Sequence, residues 1–241
     1  MDLKRQAALR ALDYVQDGMC LGLGTGSTTA YFIELLAERL KTGGLCEVRG
    51  VPTSENTARR ARELGIPLVR LSELSESYAP YLLDLVVDGA DEVDPQLNLI
   101  KGLGKALLRE KIVEIHTRRL VIIADESKLV PRLGTRGPLP VEVVPFEAET
   151  TLRWLNSLGC RAELWRDEGG RPYVTDNHNH LARCWFGEDS AGRLAGIPDP
   201  YALARCLADR PGVVEHGLFL GMASLVIVAG QNGIRILERE P

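Results

Sequence analysis

The sequence predicts an α/β protein in which a Rossmann-like parallel-sheet domain is interrupted by a small ferredoxin-like α+β domain. Three observations lead there. Short apolar runs alternate with helical periods through the first half of the chain, as in a parallel sheet with helices on both faces. A stretch rich in Pro and Gly, "LVPRLGTRGPLP" (129–140), ends that alternation. Beyond it the order becomes β-α-β-β-α-β, the split βαβ of a ferredoxin-like module. The expected division is 1–131 plus 220–241 for a catalytic α/β domain and 132–219 for a smaller lid domain.

Taken in order, "MDLKRQAALRALDYV" has an amphipathic helical period. "MCLGLG" is a strand followed by the helix "STTAYFIELLAERLK", "CEVRGVP" by "SENTARRARELG", and "LLDLVVDGA" by "KALLREKIVEIHTRR", before the strand "RLVIIADES". Runs this short and apolar fit strands covered on both faces. "IPLVRL" (66–71) is expected to add another strand. After the boundary come "VEVVPF", the helical "EAETTLRWLNSLG", "RAELWR", "RPYVTDNHNHLARCWF", the helical "DPYALARCLADRPG" and "VVEHGLF". "ASLVIVAG" and "GIRILERE" read as strands that return to the first domain.

A net charge of −4 argues against a nucleic-acid surface, although a local basic pocket for a small anion is compatible with it. No apolar run approaches the roughly 18 residues needed to cross a bilayer, and the start lacks a signal peptide's apolar block, so no membrane partner is expected. Five cysteines without a C-x-x-C pair suit reduced thiols and a cytoplasmic location.

"GLGTGSTT" (22–29) follows a strand and opens a helix. Glycines there permit close backbone approach, the helix N-terminus offers N–H groups and a positive dipole end, and Ser27 and Thr28 add hydroxyls. Together they form a candidate phosphate cradle; the alternative is a tight βα turn with a Ser/Thr cap. A Walker A loop would need a lysine before Ser27. A dinucleotide fingerprint would need a third glycine where Ser27 stands and an acid ending the second strand, where Glu55 comes too late. A small phosphorylated metabolite fits better than NAD.

Four acids (Asp88, Asp91, Glu92, Asp94) fall within seven positions beyond the strand "LLDLVV". Ligands of open α/β sheets bind outside the strands' carboxyl ends, so Asp88 and Asp91 could hold sugar hydroxyls or move protons; turn capping is the alternative. Ligand spacing for a metal is lacking, and no metal is expected. Lys101 opens "KGLGK", whose glycines could aim N–H groups inward like an oxyanion hole. Glu110 shares a helical stripe with Ala106, Val113 and Thr117, and burial there would raise its pKa toward a value useful in proton transfer; the alternative for this residue taken alone is a solvated helix glutamate. Glu114 and Arg118 read as an ordinary surface i,i+4 pair. A phosphate cradle, a carboxylate base, a cation and N–H donors are the equipment for removing a proton beside a carbonyl and holding the enediolate.

At that point the blocks "GLGTGST", "VPTSENTARRARELGIPL", "DLVVDGADEVDPQLNLIKGLGKALLREKIV", "VIIADESKLVPRLG" and "PLPVEVVPF" closely resemble type A ribose-5-phosphate isomerases, most strongly up to about residue 146. The resemblance implies interconversion of ribose 5-phosphate and ribulose 5-phosphate through a cis-enediol, without a cofactor, in a homodimer or homotetramer whose partner is a sugar phosphate. It implies phosphate binding by Thr25, Gly26, Ser27 and Thr28 with Lys4 and Lys128. It makes Glu110 the general base, Lys101 the cation beside the reacting carbons, and Asp88 and Asp91 the acids that hold the sugar and assist ring opening. Gly89, Ala90, Gly102, Leu103 and Gly104 complete the expected substrate contacts. The family loop reads "KGGGGA" or close to it; here it is "KGLGKA", and Lys105 is expected to point outward. "TDNHNH" departs from "TDNGN", and His178 and His180 are expected on one face of a strand as exposed lid histidines, too few for zinc. Other readings are a sugar-phosphate deaminase or lactonase, and a sugar-phosphate sensor domain, for which the segment before the first strand is short.

Overall fold

In the computed structural model, which describes residues 2–74, 81–187 and 191–239, the chain begins with α1 (Leu3–Ala11), β1 (Cys20–Leu23), α2 (Ser27–Lys41), β2 (Arg49–Pro52), α3 (Glu55–Glu63) and β3 (Leu85–Gly89). It continues through β4 (Glu92–Val93), β5 (Leu99–Ile100), α4 (Leu107–Glu114) and β6 (Leu120–Asp125). Then come β7 (Leu139–Val143), α5 (Ala148–Asn156), β8 (Cys160–Leu164), β9 (His180–Phe186), α6 (Pro200–Ala208) and β10 (Val213–His216). β11 (Leu218–Phe219), β12 (Leu225–Gly230) and β13 (Gly233–Glu238) end it. Local chemistry sets several boundaries. Asp2, Ser54 and Asp199 accept the N–H of Lys4, Thr57 and Ala202 and so cap α1, α3 and α6; Pro200, with no N–H to lose, opens α6.

The chain divides into two compact units, Met1–Ala90, Arg109–Lys128 and Met222–Pro241 in the first, Asp91–Leu108 and Leu129–Gly221 in the second. Residues 91–108, placed by the sequence reading in the larger domain, group with the second unit because β5 pairs with both β4 and β11 in a small antiparallel sheet.

The first unit holds a six-stranded sheet in the order β13-β12-β6-β3-β1-β2, parallel except for β13. One face is built by Leu21, Leu23, Leu85, Val87, Val121, Ile123 and Ile227 against Ala7, Ala8 and Ala11 of α1 and Phe32 and Leu36 of α2. Burying a Leu or Phe side chain of this kind contributes about 1.5–3 kcal/mol. On the other face α4 comes close to β1 because Gly22 has no side chain: a Cβ there would lie 2.4 Å from Val86 and 2.9 Å from Val113. β1 has β2 on one side and β3 on the other, so the strand order reverses there. The carboxyl ends of β1 and β3 flank this switch point, where ligands of open α/β sheets bind. The strand expected at 66–71 reduces to one bridge, Gly50 to Leu68, since Pro67 has no N–H to extend the ladder.

The second unit contains the ferredoxin-like module: β7-α5-β8-β9-α6-β10 forms a four-stranded antiparallel sheet in the order β10-β7-β9-β8. Its core joins Leu139, Val141, Val143, Ala182, Cys184 and Phe186 to Leu155 of α5 and Leu207 of α6.

Candidate active site

In the first unit the turn from β1 into α2 is built around the Asp88 carboxylate at the end of β3. Asp88 is fully buried; its Oδ1 accepts the N–H of Thr25 (3.1 Å) and Gly89 (2.6 Å) and the hydroxyl of Thr29 (3.4 Å). Gly24 lets this happen, because a Cβ there would sit 2.1 Å from the Asp88 carboxyl carbon. Thr25 turns inward, its Oγ1 2.8 Å from the hydroxyl oxygens of Thr53 and Ser54 and 3.2 Å from that of Thr57. Thr57 in turn donates to the Gly24 carbonyl at 2.9 Å. Gly26, with φ +129°, is the N-cap of α2, and Gly26 and Ser27 are exposed with Thr28 half-buried. Thr25 therefore fixes the loop, while Gly26, Ser27 and Thr28 present it to solvent.

Two lysines distant in sequence converge on this end of the sheet. The Lys4 ammonium on α1 donates to Ser27 Oγ at 2.9 Å. Lys128 ends a short turn after β6. Burial opposes ionisation of Asp125, but hydrogen bonds from the Ser127 hydroxyl and N–H, together with the charges of Lys128 and Lys4, hold its carboxyl below the usual value. An exposed helix N-terminus bearing a hydroxyl, with two ammonium groups nearby, has the positive potential and N–H donors of a candidate anion site.

Glu110 lies on the buried side of α4, 2 % exposed, with Ala106, Val113 and Thr117 likewise buried. The helix direction places it. The His116 carbonyl, just past the helix, accepts the N–H of Leu82 and Leu83 just before β3, so α4 runs back from the strands' carboxyl ends to their amino ends. Glu110, in its first turn, is thus on the same side of the sheet's strand ends as the turn from β1 into α2. Arg109 beside it turns outward to Glu55 (2.7 Å), which opens α3 as expected. The surface pair expected at Glu114 and Arg118 is corrected. Glu114 is 3 % exposed, the helix stops there, and the N–H of exposed Arg118 goes to the Leu83 carbonyl.

In the second unit the remaining acids do different work. Asp91 Oδ2 accepts the N–H of Leu103 at 2.8 Å. Glu92 is buried and accepts the N–H groups of Gly134, Arg136 and Gly137; burial raises its pKa, and those three hydrogen bonds partly oppose the rise. Asp94 closes a turn over Gln96 and Asn98. Lys101 follows β5, 2 % exposed, with its ammonium 5.3 Å from the centre of the Phe219 ring. The turn after it is closed by the Lys105 N–H to the Gly102 carbonyl at 2.9 Å. The oxyanion role expected of this loop is narrowed accordingly: the N–H groups of Leu103 and Lys105 hold the turn, and those of Gly102 and Gly104 are the candidate donors.

Three further expectations change or sharpen here. Lys105 does not point away into solvent, for its ammonium lies 4.3 Å from the Tyr173 ring centre and 5.0 Å from that of Trp165. His178 sits in a turn at φ +63°, exposed, rather than on a strand, whereas His180 starts β9 half-buried with Nδ1 3.0 Å from the Tyr173 carbonyl oxygen. Among the described residues no group of three or more His, Cys, Asp or Glu side chains gathers as a metal site. Gly89 and Ala90 are half-buried at the end of β3, the Gly89 N–H already taken by Asp88. Sequence reasoning missed Gly24, the hydroxyls of Thr53, Ser54 and Thr57, and Asp125. Of these only "PTSEN" carried a signal, its Ser-x-x cap before a helix.

Comparison with known proteins bears on the family and the fold. The family model for ribose 5-phosphate isomerase A (phosphoriboisomerase A) matches residues 49–233. A ribose-5-phosphate isomerase A of Roseiflexus castenholzii (strain DSM 13941 / HLO8) is 53% identical over 235 residues, 98% of this chain and 94% of the relative. One from Synechococcus sp. (strain JA-3-3Ab) is 50% identical over 239 residues, 99% of this chain and 97% of the relative. Among solved structures, a D-ribose-5-phosphate isomerase in complex with phospho-erythronic acid superposes with a TM-score of 0.90 at 41% identity, covering 99% of this chain and 100% of that one. Ribose 5-phosphate isomerase A of Methanocaldococcus jannaschii gives a TM-score of 0.88 at 38% identity, covering 98% of each chain. Matched along nearly its whole length in sequence and in fold, the chain belongs to the ribose 5-phosphate isomerase A family.

Proposed function

We propose that this chain interconverts ribose 5-phosphate and ribulose 5-phosphate, with Glu110 as the base. The observation that carries the reading is a glutamate 2 % exposed in the first turn of α4, on the side of the sheet's strand ends where Lys4 meets Ser27 and, with Lys128, lies near Asp125. The relatives carry the same activity in their names, and one structural neighbour was solved with phospho-erythronic acid, a phosphorylated sugar acid.

The sugar phosphate is anchored by its phosphate on the N–H and hydroxyl groups of Gly26–Thr28 and on Lys4 and Lys128. Asp88 or Asp91 assists the proton transfers that open the furanose ring. Glu110 removes the C2 proton of the open-chain aldose, and the electron pair moves toward the C1 carbonyl to give a cis-enediolate. Lys101, with the N–H groups of Gly102 and Gly104, stabilises the negative oxygen. Glu110 then returns the proton to C1 while the O2 hydroxyl proton passes to O1, so that C2 becomes the ketone and C1 a primary alcohol. Oxidation at C2 balances reduction at C1, so the chemistry calls for no redox cofactor. General-base action supplies about 10²–10⁴ in rate, and one oxyanion donor about 10²–10³.

A homodimer or homotetramer carries over from the family resemblance, and the exposed side chains of Phe146 and Ile115 are compatible with association; light scattering decides it. A cytoplasmic location is supported by five free cysteines and, among the described residues, by the lack of any helix long and apolar enough to cross a membrane. The function is tested by incubating the protein with ribose 5-phosphate in deuterated water. Ribulose 5-phosphate carrying solvent deuterium at C1 is the expected product. No ketose formed, or ammonia released instead from glucosamine 6-phosphate, would overturn the proposal.

A further inference from the structure

The face of the four-stranded sheet opposite α5 and α6 carries a ladder of alternating cations and rings, all within the second unit. Arg161 and Glu163 of β8 stand across from Trp185 and Arg183 of β9, and residues two apart on a strand share a face. The Arg161 guanidinium lies 4.0 Å from the Trp185 ring centre, and that of Arg183 lies 5.1 Å from both Trp185 and Trp165. Glu163 pairs with both arginines. The next rung is Lys105, which belongs to no strand. Its ammonium shares the Trp165 ring with Arg183 and reaches Tyr173 at 4.3 Å. Two cations on one ring repel, and the Glu163 carboxylate beside Arg183 offsets that repulsion.

Lys105 also has an unusual backbone, with φ +68°, a conformation in which a glycine normally stands. Its own N–H closes the turn onto Gly102, while Asp91 holds the Leu103 N–H between them. The turn is therefore fixed at three points: Asp91, the Gly102 carbonyl, and the ring clamp on the Lys105 side chain. Of these three, only the clamp acts through the Lys105 side chain. Lys101, fewer than five residues earlier, starts this same loop.

We propose that Lys105 is a positioning residue: clamped between Tyr173 and Trp165, it fixes the 102–105 turn and thereby the Lys101 ammonium and the Gly102 and Gly104 N–H groups, to which the proposed function gives the task of stabilising the enediolate. This rests on the isomerase function proposed above. Lys105 itself need not touch the substrate. Because misplacing a catalytic group by about 1 Å costs on the order of 10²-fold in rate, loosening the turn lowers kcat while the phosphate contacts, made by other residues, hold KM.

The test compares Lys105→Met, which keeps the stem and removes the charge, with Lys105→Arg, which keeps a ring-stacking cation. The expected result is a fall in kcat of about 10- to 100-fold for the Met variant, KM within about threefold, and near-wild-type kcat for the Arg variant. Amide hydrogen exchange at Leu103 and Lys105 should quicken in the Met variant only. Trp165→Leu should reproduce the loss and add little to Lys105→Met, the non-additivity of a shared contact. A Met variant with wild-type kcat and unchanged exchange overturns the inference, as do equal losses in the Met and Arg variants. A wild-type protein without isomerase activity overturns the function instead, and the exchange measurement then decides whether the clamp exists.

Discussion

Replacing Gly24 with alanine tests how the proposed phosphate loop is built. The position has no left-handed backbone, so the constraint is steric: the added methyl would lie 2.1 Å from Cγ and 2.2 Å from Oδ1 of Asp88. Something must move. Asp88 is fully buried and tied through Oδ1 to the N–H groups of Thr25 and Gly89, so displacing it strains or breaks both bonds. Forcing an extra methyl into such a site costs about 1–3 kcal/mol. Losing a hydrogen bond to a charged group adds about 1.5–3 kcal/mol. If the loop yields instead, a shift of about 1 Å at Gly26–Thr28 misplaces the anchored sugar and costs on the order of 10²-fold in kcat/KM. Urea unfolding and steady-state kinetics on ribose 5-phosphate read the two alternatives, and at least one should change. A Gly24→Ala variant with both the wild-type unfolding midpoint and kcat/KM within about threefold of wild type would refute the reasoning.

Two other outcomes follow from buried groups. Glu92→Gln places an NH₂ against one of the three backbone N–H groups that the carboxylate accepts, and should destabilise by about 1–3 kcal/mol in urea unfolding near neutral pH. Burial raises the Glu92 pKa in the folded state, so its protonated form is favoured there; the stability this gives wild type is full below the ordinary value of 4.5 and is lost as pH rises through the folded pKa. The wild-type advantage over Glu92→Gln should therefore narrow from acid toward neutral pH, and a widening gap would contradict it. Alkylation with iodoacetamide should reach exposed Cys206 first. Exposed Cys46, raised by its hydrogen bond with Asp17, should follow, and Cys20, buried and pushed up to about 11, should react only on unfolding. Mass spectrometry that finds Cys20 modified in the native protein as fast as Cys206 would be inconsistent with the packing of β1.

How much was legible in the sequence depended on whether the signal was local. The βα alternation of the first unit and the β-α-β-β-α-β order of the second were readable, because apolar runs bounded by glycines and caps are local facts. The burial of Glu110 was readable too, since Ala106, Val113 and Thr117 share its stripe. The same spacing rule misled at Glu114 and Arg118, because it assumed a helix that in fact stops at Glu114. The two-residue strands β4, β5 and β11 have no period to detect. Gly24 looked like its neighbouring glycines; only the distance to Asp88, on a strand far along the chain, gives it a distinct task. The inward turn of Lys105 depends on rings at Trp165 and Tyr173, which no window around "KGLGKA" contains.

The central claim, that the Glu110 carboxylate moves the proton, is tested most directly by Glu110→Gln, which keeps shape and removes the base. Measured together, kcat for ribose 5-phosphate and the dissociation constant of a phosphorylated sugar acid should separate: kcat falls by about 10²–10⁴ while binding stays within a few-fold of wild type. A Gln variant that still turns over at near the wild-type rate would contradict the account, whatever the rest of the site looks like.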